Sequence, residues 1–159
     1  AKFEYIKNRL LSFFDTENGT HNFQSDKALD SITSGGFFGK GIGEGVLKNK
    51  VPEAHTDYII SVISEEFGVI AIILILVLFL VFAYSILKKV SMETDSKTKL
   101  ILVGCVSLIL LQAMIHIGVN IRLFPTTGMT LPFLSYGGSS IVSISILSGI
   151  ILNLTKRRV

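Results

Sequence analysis

Three long apolar stretches separate this chain into polar and membrane-like parts. The first runs from about residue 67 to 87, FGVIAIILILVLFLVFAYSIL, and its 21 residues carry no charge. About 20 such residues cross the hydrocarbon core of a bilayer as a helix. The second runs from about 100 to 119 and contains Gln112 and His116. The third, about 138 to 154, is shorter and rich in Ser. The pattern predicts an all-α integral membrane chain with three spans.

Residues 1–57 read differently. Phe3, Ile6, Leu10, Leu11, Phe13 and Phe14 give a short amphipathic pattern suited to an interfacial helix. DTENGTHN at 15–22 reads as a polar turn. A second helix is expected from Asp26 to Thr33. GGFFGKGIGEG follows, with glycines at 35, 36, 39, 41, 43 and 45. That density predicts tight turns and close backbone approach. There is no internal repeat.

Composition agrees with the membrane reading. The chain of 159 residues is 49% hydrophobic and 17% charged, against about 25% charged in soluble domains. Its formal net charge is +3. The basic residues form no single patch and no stacking platform accompanies them, so nucleic acid is excluded as a partner. Their placement gives orientation instead. Lys88, Lys89, Lys97 and Lys99 lie between the first two spans, and Lys156, Arg157 and Arg158 follow the third. The positive-inside rule puts loop 88–99 and the C-terminus in the cytoplasm. Residues 1–57 and loop 120–137, whose basic residue is Arg122, then face outward. Cys105, the single cysteine, sits in an apolar run and reads as a packing residue. The chain begins with Ala1 and shows no signal peptide, so it is expected to be a fragment with further spans upstream.

Candidate chemistry collects near the outer ends of the spans. In PEAHTD at 52–57, an extended backbone would turn Glu53, His55 and Asp57 to one side. Alternatively, Thr56 or Asp57 caps the first helix. The E-x-H-x-D spacing matches no standard metal motif. Glu65 and Glu66 enter the same helix, and at least one must face protein or water. Gln112, His116 and Asn120, four apart, make one polar stripe. Interhelical hydrogen bonding and a wet cavity are both open to it. In LPFLSYGGSS at 131–140, Gly137 and Gly138 allow close packing or a re-entrant turn, and Ser139 or Ser140 could cap the third helix. Neither this segment nor the glycine run is a nucleotide loop, for want of the Lys and the strand–helix context.

Two long motifs resemble one family. PEAHTDYIISVISEEFG at 52–68 and QAMIHIGVNIRLFPTTGMTLPFLSYGGSS at 112–140 look like the two signatures of the FtsW/RodA/SpoVE (SEDS) family, and GGFFGKGIGEGVLKNKVPEAHTD matches the approach to the first. PEAHTD and GMTLPFLSYGGSS look more like the division branch, FtsW, than the elongation branch, RodA, with the sporulation branch, SpoVE, still open. Arg122 and Phe124 depart from the commoner Gly-Leu-Leu-Pro form. The resemblance implies that the three spans are the last of a ten-helix bundle, preceded by a large extracytoplasmic loop with short helices. It further implies a multi-pass protein of the bacterial plasma membrane, at the division septum.

The implied activity is inverting glycan polymerisation from lipid II, releasing undecaprenyl pyrophosphate. The family's essential loop aspartate maps onto Asp57, expected as the general base. Lys48, Lys50 and Arg122 are candidates for the pyrophosphate, with Mg or Mn as a possible cofactor. Glu53, His55, Gln112, Asn120, Ser135, Gly137 and Gly138 complete the expected substrate-binding set, with no protein metal site. The implied partners are a class B penicillin-binding protein, a transpeptidase, and other division proteins. Two other readings are a lipid II flippase and a non-catalytic scaffold for the transpeptidase, the latter resting on outer apolar residues such as Phe37 and Phe38. The fragment is expected to be inactive alone.

Overall fold

A computed structural model describes residues 20–51 and 54–156. The expected amphipathic helix near the N-terminus, and Glu53, lie outside the described residues. Among the described residues the helices are, in order, α1 (Thr20–Gly35), α2 (Leu47–Lys50), α3 (Ile59–Met92), α4 (Ser96–Asn120) and α5 (Gly138–Thr155). By length and composition α3, α4 and α5 can each cross a membrane. Most of their apolar side chains are exposed in this chain.

Helix α3 carries the span expected from about 67 to 87 and, as expected, includes Glu65 and Glu66 ahead of it, but it is broken. Gly68 has φ 78° and ψ −177° inside it. The break is closed by the glycine-rich segment. Lys40 N–H donates to Glu65 O at 2.8 Å, Gly41 N–H to Glu66 O at 3.1 Å, and Val69 N–H to Gly36 O at 3.0 Å. A broken helix survives in lipid only if its freed backbone groups find such partners. The density of glycine has a direct cause here. A Cβ on Gly68 would collide with the Phe37 carbonyl, and one on Gly39 with the Glu66 carbonyl.

Helix α4 starts on Asp95, whose carboxylate accepts from Lys97 N–H and Thr98 N–H. This is the ordinary use of Asp before a helix. The α3/α4/α5 contact centres on Ile86, Leu102, Cys105, Val106, Ile109 and Ile151, so Cys105 is a packing residue. On the α1 side, Ala28, Leu47, Val51, Ala54, Tyr58, Val62 and Val119 form a second core.

The connection from α4 to α5 explains the shortness of the third span. After Asn120 the chain turns back along α4, where Gln112 Nε2 donates to Thr130 O at 2.9 Å and to Ser140 Oγ at 3.1 Å. Gln112 lies about 12 Å from Asn120 along the helix at ~1.5 Å per residue. Helix α5 therefore starts well inside the end of α4. Both options for Gly137 and Gly138 have a part: the segment turns back along α4, and Gly137 packs closely against Thr130. The α5 cap position is Gly137, not Ser139 or Ser140.

Candidate functional site

Residues 54–58 form a succession of turns, not an extended strand. The expected alternation that would put His55 and Asp57 on one side therefore does not apply. Nor do Thr56 or Asp57 occupy the cap position of α3, which is Tyr58. The turn is held instead by its own carbonyl groups, which take bonds from α4 and from the re-entrant segment.

Asn120 makes the central contact. It is fully buried. Its Nδ2 donates to Asp57 O at 2.9 Å and to His116 O at 2.9 Å. Its Oδ1 accepts from Ser61 N–H at 3.1 Å and Ser61 Oγ–H at 2.7 Å. The amide is thus saturated by protein groups. His116, also fully buried, places Nε2 at 3.2 Å from Thr56 O. A carbonyl can only accept, so Nε2 carries the proton. Ser135 Oγ–H donates to Thr56 O at 2.9 Å while its oxygen accepts Leu131 N–H at 2.8 Å. Tyr136 N–H donates to His55 O at 3.2 Å. Three successive carbonyls, of His55, Thr56 and Asp57, are therefore tied to two other elements.

The polar stripe on α4 is thereby accounted for by protein–protein hydrogen bonds along its whole length. Asp57 is half-buried, and its carboxylate lies near Gly128, where a Cβ would sit 4.0 Å from Oδ2. Gly128 has φ 71°, and this left-handed backbone favours glycine there.

The remaining sequence candidates are placed as follows. His55 is exposed, as is Lys50. Lys48 belongs to α2, but its side chain lies outside the described residues. Arg122, itself at φ 63°, pairs with Asp26 of α1, which ties its charge to the protein. Gly137 packs against Thr130, and Gly138 opens α5 with nothing near its Cα face. Of the two acids in α3, Glu65 is buried and paired with Lys40 Nζ at 2.8 Å, and it accepts Leu47 N–H at 3.0 Å. Among the described residues no three His, Cys, Asp or Glu side chains converge into a metal-binding group. His116, Ser61, Thr130 and Asp26 were not in the expected site. His116 had a signal, its spacing of four from Gln112 and Asn120. Ser61 and Asp26 had none.

Below the turn, an apolar cleft of about 250 Å³ opens between α3 and the re-entrant segment, lined by Ile75, Leu78, Phe79, Phe82, Pro132, Phe133 and Leu134. Phe82 and Phe133 meet edge to face there, ring centres 6.3 Å apart. The residues that follow, Ser135 and Tyr136, are those that hold the 55–57 turn.

The pattern of cell cycle proteins defined by FtsW, RodA and SpoVE matches residues 2–159. The chain belongs to this family. It is 39% identical to the probable peptidoglycan glycosyltransferase FtsW of Caulobacter vibrioides, covering 98% of this chain and 40% of that protein. It is 37% identical to the same-named protein of Enterococcus hirae, over 99% of this chain and 40% of that protein. Stage V sporulation protein E of Bacillus subtilis is 41% identical over 84% of this chain and 37% of its own length. The chain thus spans about two fifths of the length of these relatives. Among solved structures, it is similar to a chain of a peptidoglycan synthase complex that coordinates polymerization and crosslinking, with a TM-score of 0.68, 26% identity, and coverage of 95% of this chain and 41% of that one. Three apolar helices and FtsW-like family membership together make this a multi-pass membrane protein.

Proposed function

We propose that the full-length protein is a peptidoglycan glycosyltransferase of the bacterial plasma membrane, acting at the division septum, with Asp57 as its general base. The observation that carries this reading is the clamp on the 55–57 carbonyls. The backbone of Asp57 is held by Asn120, while the residue as a whole is only half-buried. A general base needs both a fixed position and reach to a substrate proton.

In the proposed step the Asp57 carboxylate takes the proton from the 4-hydroxyl of the acceptor N-acetylglucosamine. The hydroxyl oxygen attacks the anomeric carbon of the donor N-acetylmuramyl unit. The bond to the pyrophosphate oxygen breaks on the opposite face, so configuration inverts and undecaprenyl pyrophosphate departs with the electron pair. A positioned base contributes about 10²–10⁴-fold to such a reaction. Positive charge must meet the departing pyrophosphate. Lys50 is exposed near the turn and suits this better than Arg122, which is engaged by Asp26.

The substrate class follows from the neighbouring cleft. An apolar cavity beside the segment that holds the catalytic turn suits the isoprenoid tail of a lipid-linked sugar such as lipid II. The turn and α1 then belong to the extracytoplasmic side and loop 88–99 to the cytoplasm, within a bundle of ten helices. A class B penicillin-binding protein, together with other division proteins, is the fitting partner, as the similar solved chain is part of a synthase complex. A flippase would use polar span residues to line a path. Here Gln112, His116 and Asn120 are occupied by protein groups.

The test is polymerisation of lipid II by the purified full-length protein in detergent, where sidedness is lost. Asp57→Asn should abolish polymer while lipid II binding and thermal stability stay near those of the parent. Undiminished polymer from this variant would overturn the assignment of the base.

A further inference from the structure

The tip of the glycine-rich segment is built to do something beyond closing the break in α3. Several of its backbone groups bond inward to α3. Gly36 O, Lys40 N–H and Gly41 N–H all bond to α3, and Gly39 N–H returns to Gly35 O at 2.8 Å. Large apolar side chains on this segment stand outward. Phe37, Phe38 and Ile42 are 74%, 84% and 80% exposed. Three large apolar side chains held outward on a rigid loop are costly in water and call for an apolar neighbour.

Their height identifies that neighbour. The Phe37 carbonyl abuts Gly68. From there the uncharged stretch 69–87 rises about 28 Å at ~1.5 Å per residue before reaching Lys88. That is close to the roughly 30 Å of a hydrocarbon core. With the lysines at one membrane surface, Gly68 lies at the other. The exposed apolar surface is also continuous: Phe67, Ile70, Ile73 and Leu74 carry it from the loop onto the outward face of α3. The polar side chain of the same loop turns away from it, as Lys40 reaches back to Glu65.

We infer that Phe37, Phe38 and Ile42 are a membrane-interface anchor, inserted among the upper acyl chains of the surrounding lipid. The anchor sets the depth of the broken-helix junction in the bilayer. It is independent of the chemistry assigned to Asp57.

The test is spin-label depth measurement on the full-length protein in phosphatidylglycerol/phosphatidylethanolamine nanodiscs. Labels are placed one at a time through Phe38→Cys and Ile42→Cys, with Glu44→Cys on the same loop as the aqueous reference. Cys105 is buried, and other exposed cysteines are replaced beforehand. The labels at 38 and 42 should collide readily with oxygen and show loss of nickel-chelate collisions relative to the label at 44. Equal nickel access at 38, 42 and 44 would mean water and overturn the inference. Immobilised labels at 38 and 42, shielded from both reagents, would mean cover by protein and overturn it equally. The positions are so exposed that either label should leave the fold intact, and each reads the depth without the other.

Discussion

Asn120 Nδ2 lies 2.9 Å from the carbonyl oxygen of Asp57, 63 residues away in sequence, and the same nitrogen bonds its own helix at His116 O. One side chain therefore references the candidate base directly to the backbone of α4. A carboxylate that must meet a sugar hydroxyl within a few tenths of an ångström benefits from such a reference, because a misplacement of about 1 Å can cost ~10²-fold in rate.

Asn120→Ala should lower polymerisation by about 10²-fold or more with a smaller effect on lipid II binding. It leaves Ser61 N–H and Asp57 O without their partner, each worth about 1–3 kcal/mol when buried. Apparent Tm in detergent should fall as well. The rate loss should exceed that of a variant on the far side of the bundle chosen to match the Tm. Comparing kcat with KM for lipid II checks this.

Asn120 and Ser135 hold adjacent carbonyls of one turn, so their effects should not add. Ser135→Ala removes both the bond to Thr56 O and the acceptor for Leu131 N–H. Sites sharing a structural unit show coupling of about 0.5–3 kcal/mol. The double variant should be less impaired in polymerisation than the product of the two single losses. Strict multiplicativity would show that the turn is held by independent points.

The Lys40–Glu65 pair is asymmetric, with side-chain exposures of 36% and 3%. Lys40→Met leaves a buried carboxylate without its counter-charge and should cost about 3 kcal/mol. Glu65→Gln leaves an ammonium that can turn to water and should cost only about 1 kcal/mol. The double variant should recover part of the Lys40→Met loss. Apparent thermal stability of the four proteins in one detergent decides the order.

Gly68→Ala should damage the junction far more than Gly36→Ala. Both positions have positive φ, which costs a non-glycine residue about 1–2 kcal/mol. At Gly36 nothing lies within 4 Å of a Cβ, whereas at Gly68 the Phe37 backbone occupies its place. Limited proteolysis should cut within 36–45 in the Gly68 variant and spare the parent and the Gly36 variant.

Much of this was legible from residues alone, for reasons that differ by element. Helices α3 and α4 announce themselves because lipid demands long uncharged runs, and neighbours in sequence suffice to satisfy that demand. The stripe Gln112, His116 and Asn120 was visible because its members share one helix face. Its targets were not, since they are carbonyl groups on residues far along the chain, and every residue has one. Glycine density announced close backbone approach between 35 and 45 without naming Gly68 as the other party.

The membrane class, the three spans, the family and the residue proposed as base were all readable along the chain, because each depends on local composition or on an unbroken motif. Tertiary structure alone decided that α3 is broken and sealed by the glycine segment and that α5 begins deep beside Gln112. It alone tied the 55–57 turn to Asn120, His116 and Ser135. The physical reason is that unpaired backbone groups in lipid must find partners wherever the fold brings them, and sequence separation carries no record of that search.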